Sequence, residues 1–264
     1  MLESNIPKIS IITVNYNNLE GLQRTFNSVF NQTWKEFEYV VIDGGSTDGS
    51  KELIEKYNDK IDYWVSESDN GIYNAMNKGI KKAKGEYLLF LNSGDNLFNH
   101  TVLEENHSVI KEMDLIYFNL EFKRNNFSEV RTYPEYLNFS FMFSSTLPHQ
   151  ATFIKANLFN ELGPYDENII FSSDWKFFIL SLFKLNCSYL KVNTTLSTFY
   201  LDGISSDSKN QKTLNEERSQ VLNSYFKCFI DDMNELLELK LLVSNLKKSR
   251  KIGLLVKLGL INKF

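Results

Sequence analysis

The segment YLLFL, residues 87–91, is apolar without interruption and then breaks into Asn92, Ser93, Gly94 and Asp95. An apolar run that does not alternate, closed by turn-forming residues, reads as a strand buried on both faces. Such strands belong to mainly parallel sheets covered by helices. Three earlier segments repeat the pattern: "KISIITVNYN", "FEYVVIDGG" and "IDYWVSESDNG" are strand-like and end in polar, turn-rich residues. Between them lie helical spacings, in Leu19, Leu22, Phe26, Val29 and Phe30, in the segment opened by "STDGS", and in "IYNAMNKGIKKAKG" up to Gly85. The alternation predicts an α/β fold, a doubly wound, mainly parallel sheet flanked by helices. Ligands of open sheets bind beyond the carboxyl ends of the strands. There "NYNN", "DGGSTDGS", "SESDNG" and "NSGD" fall together.

Further along, residues 101–112 read as a helix, "DLIYFNLEF" as a strand, and residues 132–150 as an irregular, aromatic, substrate-facing region. Then come a helix stopping at Gly163, a helix over "SSDWKFFILSLFKL" capped near Ser173, and the strand-like "SYLKVNTTLSTFYL". From Lys212 the chain reads helical, with Val221, Leu222, Phe226, Phe229, Met233, Leu236 and Leu237 on one side. Residues 1–210 form one expected domain and 211–264 a helical C-terminal extension.

Charge and cysteine usage narrow the classes. Seven cations and no acid lie in residues 240–264, so all 33 acidic residues belong to the preceding body. An acidic body argues against nucleic-acid binding, and a basic tail permits contact with an anionic surface. Cys187 and Cys228 form no CxxC, and His100, His107 and His149 have no zinc spacing. With neither a signal-peptide pattern at the N-terminus nor a long apolar run, the expected location is cytoplasmic, extending to the inner face of the cell membrane.

Three carboxylates stand at places where chemistry is concentrated. Asp43 ends a buried strand before Gly44 and Gly45, and a carboxylate there can accept the imino N–H of a pyrimidine as well as cap a helix. The same stretch misses both the GxGxxG and the P-loop spacing, which removes the main support for dehydrogenase and P-loop hydrolase classes. Asp95, with Asn92 and Ser93 as neutral oxygen donors, offers a single acid. That can suffice for Mg2+ when substrate phosphates supply the remaining ligands. Asp174 opens a helix, where it either serves the macrodipole or acts as a general base. His149 and Gln150, in "PHQ", are equally readable as packed or ligand-facing.

Six blocks in this order, "SIITVNYNN", "VVIDGGSTDGS", "SESDNGIYNAMNKGIKKAKGEYLLFLNSGD", "HQATFIKANLFNELGPYDE", "SSDW" and "FYLDGISS", resemble the family 2 glycosyltransferases of GT-A fold. The resemblance runs from about Lys8 to Ser206 and, within the family, is to bacterial enzymes of O-antigen, capsule and exopolysaccharide assembly. It implies that Thr13, Val14 and Tyr16 line a nucleotide pocket and that Asp43 bonds a uracil or thymine base. Gly45, Asp69, Gly71 and Asn77, with Asn92 and Ser93, are implied on the remainder of the nucleotide-sugar site. His149, Gln150, Trp175 and Ser205 are implied on the acceptor or diphosphate side, Asp95 at a Mg2+ or Mn2+ ion, and Asp174 as catalytic base. Asn92 and Gly94 depart from the pattern, standing where many relatives have acids.

The implied reaction is an inverting transfer from a UDP- or dTDP-sugar to a saccharide hydroxyl, the acceptor being lipid-linked. Two other classes share parts of the pattern. A sugar-nucleotide nucleotidyltransferase would want a glycine-rich, basic loop where this chain has "NYNNLEG"; a catalytically silent nucleotide-sugar-binding protein would account for Asn92 and Gly94. In the tail "KKSRKIGLLVKLGLINKF" the apolar residues fall nearly all round a helix, so no clean two-faced helix is expected. Peripheral membrane contact and packing, on the chain's own body or on a second subunit of a homo-oligomer, are both open to it.

Overall fold

The computed structural model describes residues 7–124, 127–201 and 210–262. The chain divides into two compact units, Met1–Glu217 and Arg218–Phe264. In the first, β1 (Ile9–Asn15), β2 (Phe37–Asp43), β3 (Tyr63–Ser66) and β4 (Tyr87–Phe90) form a parallel set in the order β3-β2-β1-β4. β1 is buried throughout and β4 likewise, as their unbroken apolar character requires. Three helices alternate with these strands: α1 (Leu19–Phe30), α2 (Ser50–Lys56) and α3 (Ile72–Lys82). α1 buries Leu22, Phe26 and Val29 on one face and is capped by Asn18, whose side chain accepts from Gly21 N–H.

Beyond β4 the sheet turns mixed, where a mainly parallel sheet was expected. β8 (Thr152–Lys155) inserts antiparallel between β4 and β6 (Leu115–Arg124), and β7 (Phe127–Arg131) pairs antiparallel to β6. β9 (Tyr189–Tyr200) runs parallel to β6, and the two-residue β5 (Asn96–Leu97) pairs antiparallel to it. The helix expected over 101–112 is shorter, α4 (Val102–Asn106), and the aromatic stretch holds one helix, α5 (Phe139–Ser144). α6 (Asn157–Leu162) and α7 (Ser173–Phe183) close the core, with the Phe159 and Phe177 rings stacked at 4.3 Å.

α8 (Gln211–Tyr225) spans the division between the units, followed by α9 (Ile230–Lys248) and α10 (Arg250–Lys257). Val221, Leu222, Phe226 and Met233 are buried, whereas Phe229 and Leu236 of the expected apolar side are exposed. A 3-10 turn at Lys227–Phe229 interrupts the helix and shifts its phase. The tail also differs from expectation. Ser249 is extended, ends α9 and caps α10, and the short helix Arg250–Lys257 that it starts is strongly two-faced.

Candidate active site

The carboxyl ends of β1, β2 and β3 align Asn15, Asp43 and Ser66 in register. All three side chains meet at Asp43, which is fully buried. Its Oδ1 accepts from Asn15 Nδ2 at 2.8 Å and Ser46 Oγ at 2.6 Å; its Oδ2 accepts from Ser66 Oγ at 2.6 Å and Ser46 N at 2.9 Å. Burial alone would raise its pKa, yet these four donors hold it below the ordinary carboxylate value. Four bonds use the full accepting capacity of a carboxylate. A base N–H would reach Asp43 only by displacing one of them. Asn15, which sequence reasoning passed over, keeps a buried Oδ1 with no partner among the described residues.

Above this point, Gly44 runs so close to its neighbours that a Cβ there would lie 2.8 Å from Asp69 Oδ2 and 3.2 Å from the Tyr16 ring. Gly45 has φ +77, a left-handed backbone that suits glycine, packed on the Ser68 backbone. Tyr16 is exposed over this turn, and Lys78 pairs with Asp69 at 2.7 Å and Glu67 at 2.9 Å. Tyr16, Gly44, Gly45 and Asp69 are therefore brought together, while Gly71 starts α3 at φ +103.

A second cluster forms where β8 meets β4. Because β8 runs antiparallel to β4, the residues just before Thr152 lie beside those just after Phe90. His149 Nε2 accordingly sits 3.3 Å from Asn92 Nδ2, and its Nδ1 lies 3.1 Å from Asp174 Oδ2 in the first turn of α7. Tyr73 OH donates to Asp174 Oδ1 at 3.0 Å. Burial would lower the His149 pKa, but the bond and charge of Asp174 and the charge of Asp95 raise it above the ordinary imidazole value. For Asp174 burial works upward, and His149, the Trp175 backbone N–H and Tyr73 bring the pKa below the ordinary range. Burial and the Asp174 charge push the Tyr73 phenol well up, so it stays protonated. His149 and Tyr73 thus fix an ionised carboxylate in one orientation.

Asp95 is nearly buried, and its backbone carbonyl accepts from Thr25 Oγ1 at 2.7 Å. Asn92 Oδ1 is buried and has no partner among the described residues. One carboxylate and one unspent amide oxygen fit a hard divalent ion that takes its remaining ligands from phosphate and water. Among the described residues no group of three or more His, Cys, Asp or Glu could hold a metal on its own.

Several other candidates have different surroundings from those expected. Trp175 is wholly buried, with its indole N–H donated to Met142 O. Asn77 is also buried: it donates to Tyr165 O and Glu167 and accepts from Tyr165 N–H, clamping the loop after α6 to α3. Thr13 is buried, its hydroxyl donating to Leu91 O at 2.7 Å, and it braces β1 beneath the edge. Val14 O accepts from Ser93 N–H, Gln150 is buried, and Ser205 lies outside the described residues.

The sheet with its flanking helices has the GT-A fold, and comparison with known proteins agrees. The profile of glycosyl transferase family 2 matches residues 10–159, and the chain belongs to that family. It is 32% identical over 206 residues to an uncharacterized glycosyltransferase of Mycobacterium tuberculosis, covering 76% of this chain and 78% of that one. The fold resembles S. aureus TarS (residues 1–349) in complex with UDP, with a TM-score of 0.60 and 20% identity over 84% of this chain and 73% of that chain. It also resembles the mannosyltransferase PcManGT of Pyrobaculum calidifontis in complex with GDP-Man and Mn2+, TM-score 0.58 and 14% identity over 85% and 64%.

Proposed function

We propose that this glycosyltransferase moves a sugar from a UDP- or dTDP-linked donor to a hydroxyl of a lipid-linked saccharide, with inversion, in the assembly of a surface polysaccharide such as an O-antigen or capsule. The observation that carries this reading is the orientation of Asp174, held by His149 and Tyr73 at the sheet edge that also bears Asp95. Asp174 takes the acceptor hydroxyl proton as that oxygen bonds the anomeric carbon; the bond from that carbon to the diphosphate oxygen breaks, and the nucleoside diphosphate leaves with the electron pair. A positioned base contributes about 10²- to 10⁴-fold. Approach opposite the leaving group inverts the anomeric centre. Mg2+ or Mn2+, when bound, would neutralise charge on the leaving diphosphate. Asp95 and Asn92 Oδ1 would hold it, Tyr16 and Asp69 would flank the nucleotide, and residues 1–210 would carry the whole site.

The test is calorimetric titration with UDP, dTDP, GDP and ADP, each with and without Mn2+, repeated on Asp95→Ala. Metal-dependent binding of a pyrimidine diphosphate, lost in the variant, supports the reading. Failure of every nucleotide to bind folded protein sinks it.

For the extension, residues 211–264, we propose peripheral contact with the inner face of the membrane, where a lipid-linked acceptor would be presented. α10 carries Arg250, Lys251 and Lys257, and Leu254, Leu258 and Leu260 are exposed. Basic residues near an anionic leaflet add about 1 kcal/mol each. No helix among the described residues is long and apolar enough to cross a membrane. Sedimentation with anionic liposomes, lost on deleting residues 247–264, would support surface contact; a tail-dependent dimer without liposome binding would replace it.

A further inference from the structure

The helix that carries Asp174 is entered from an exposed turn, in which Glu167, Asn168 and Ile170 face solvent. The chain returns to the core at Ser172 and Ser173, both buried, so the start of α7 is set in residues 170–172. One side chain gathers three donors from this tripeptide. Glu217 of α8 accepts from Ile170 N–H at 2.7 Å and from the Ser172 hydroxyl at 2.8 Å, and Phe171 N–H points between its two oxygens, at 3.4 and 3.1 Å. Ser172 holds the N-cap position of α7, yet its hydroxyl makes no capping bond, being given to Glu217 instead.

Glu217 is nearly buried. An acid taken out of water is costly unless donors replace the water, and here a single turn, 45 to 47 residues earlier in the chain, supplies them. Asp174 lies two residues past Ser172. His149 and Tyr73 hold its carboxylate oxygens, which fixes the outer end of the side chain. The backbone from which that side chain hangs is fixed by the turn that Glu217 holds. Aim needs both ends, because a displacement of about 1 Å in a reacting group can cost about 10²-fold in rate.

We infer that Glu217 is a positioning residue for Asp174: through Ile170, Phe171 and Ser172 it sets where α7 starts and so where the base points. The inference rests on the glycosyltransferase reading for the role of Asp174. The groups proposed to touch substrate fall within residues 1–210, whereas Glu217 lies beyond them. The catalytic unit therefore runs on into α8, in keeping with a first compact unit that ends at Glu217.

The test compares full-chain wild type, Glu217→Ala and Glu217→Gln in three measurements: UDP titration with Mn2+, amide hydrogen exchange over residues 168–180, and hydrolysis of UDP-glucose, UDP-N-acetylglucosamine and dTDP-rhamnose. In the hydrolysis water replaces the acceptor: its oxygen bonds the anomeric carbon, its proton passes to Asp174, and the nucleoside diphosphate leaves with the electron pair. Expected for Glu217→Ala are unchanged UDP affinity, faster exchange confined to this segment, and kcat lower by about 10- to 100-fold at unchanged KM. Glutamine keeps an acceptor for a backbone N–H and offers its NH2 to the Ser172 hydroxyl, so Glu217→Gln should recover most of the rate. Ser172→Ala removes one of the bonds and should show a smaller loss of the same kind, which decides the matter if Glu217→Ala does not fold. Wild-type kcat in Glu217→Ala, unchanged exchange in this segment, or a loss in Glu217→Gln as deep as in Glu217→Ala overturns the inference. Wild-type protein that neither binds UDP nor hydrolyses a donor would instead sink the transferase reading, and the role of Asp174 with it.

Discussion

His149 Nδ1 lies 3.1 Å from Asp174 Oδ2, although the two residues come from a loop before β8 and from the first turn of α7. The bond gives Asp174 a fixed direction, and Tyr73 holds the other oxygen. Asp174→Asn keeps the shape and removes the proton acceptor. Transfer is expected to fall about 10²- to 10⁴-fold with nucleotide affinity unchanged. Tyr73→Phe should lose less, because His149 still orients the carboxylate. Steady-state rates beside UDP titrations check both.

The same pair sets a pH window for stability. The folded His149 pKa lies above the ordinary 6.5, so its contribution is complete below 6.5 and is lost as pH rises through the raised value. Asp174 lies below the ordinary 3.8, so its share is present above 3.8 and lost as pH falls through the depressed value. Thermal melts of wild type and His149→Gln should differ most between 3.8 and 6.5 and converge as pH rises past the raised imidazole value. A difference that persists undiminished as pH rises past the raised imidazole value would refute the ion pair.

The parallel half of the sheet was legible because each strand is locally apolar and ends in polar residues, and that located Asp43 and Asp95, while Asp174 stood out separately at the start of a helix. Their surroundings were not legible. β8 is four residues long and carries no alternation, so nothing local announces that it runs antiparallel to β4 and delivers His149 to Asn92, 57 residues away in sequence. Trp175 and Asn77 fell within recognisable motifs, yet burial spends their polar atoms on Met142, Tyr165 and Glu167. Asn15 was invisible for a similar reason: its orphaned oxygen has meaning only once β1 and β2 are placed in register.

Gly44 and Gly45 separate binding from folding. A methyl at Gly44 meets mainly the far end of Asp69, at 2.8 Å, which can swing away, and the Tyr16 ring at 3.2 Å. Gly44→Ala should melt close to wild type while UDP affinity falls roughly tenfold, about 1.4 kcal/mol. Gly45→Ala forces a side chain onto φ +77 against the Ser68 backbone. It should cost on the order of 1–3 kcal/mol of stability. Paired melts and titrations would show whether the two effects separate.

Asn92→Asp tests how the NSGD turn handles charge. Asn92 Nδ2 now meets His149 Nε2 at 3.3 Å, an arrangement in which the amide donates to a neutral imidazole while Nδ1–H serves Asp174. Rotating the amide would turn its unpaired Oδ1 toward an imidazolium instead. A carboxylate at this position adds a second acid beside Asp95, and hard divalent ions are held by one or two such groups with phosphate and water. Mn2+ should therefore bind more tightly in the presence of UDP, by roughly tenfold. The new acid also joins Asp95 and Asp174 in stabilising the His149 cation, so without metal the imidazole should titrate at higher pH. Calorimetry with Mn2+ and NMR titration of the His149 ring measure the two effects separately; tighter Mn2+ binding with an unmoved imidazole would show that position 92 faces the ion and not His149.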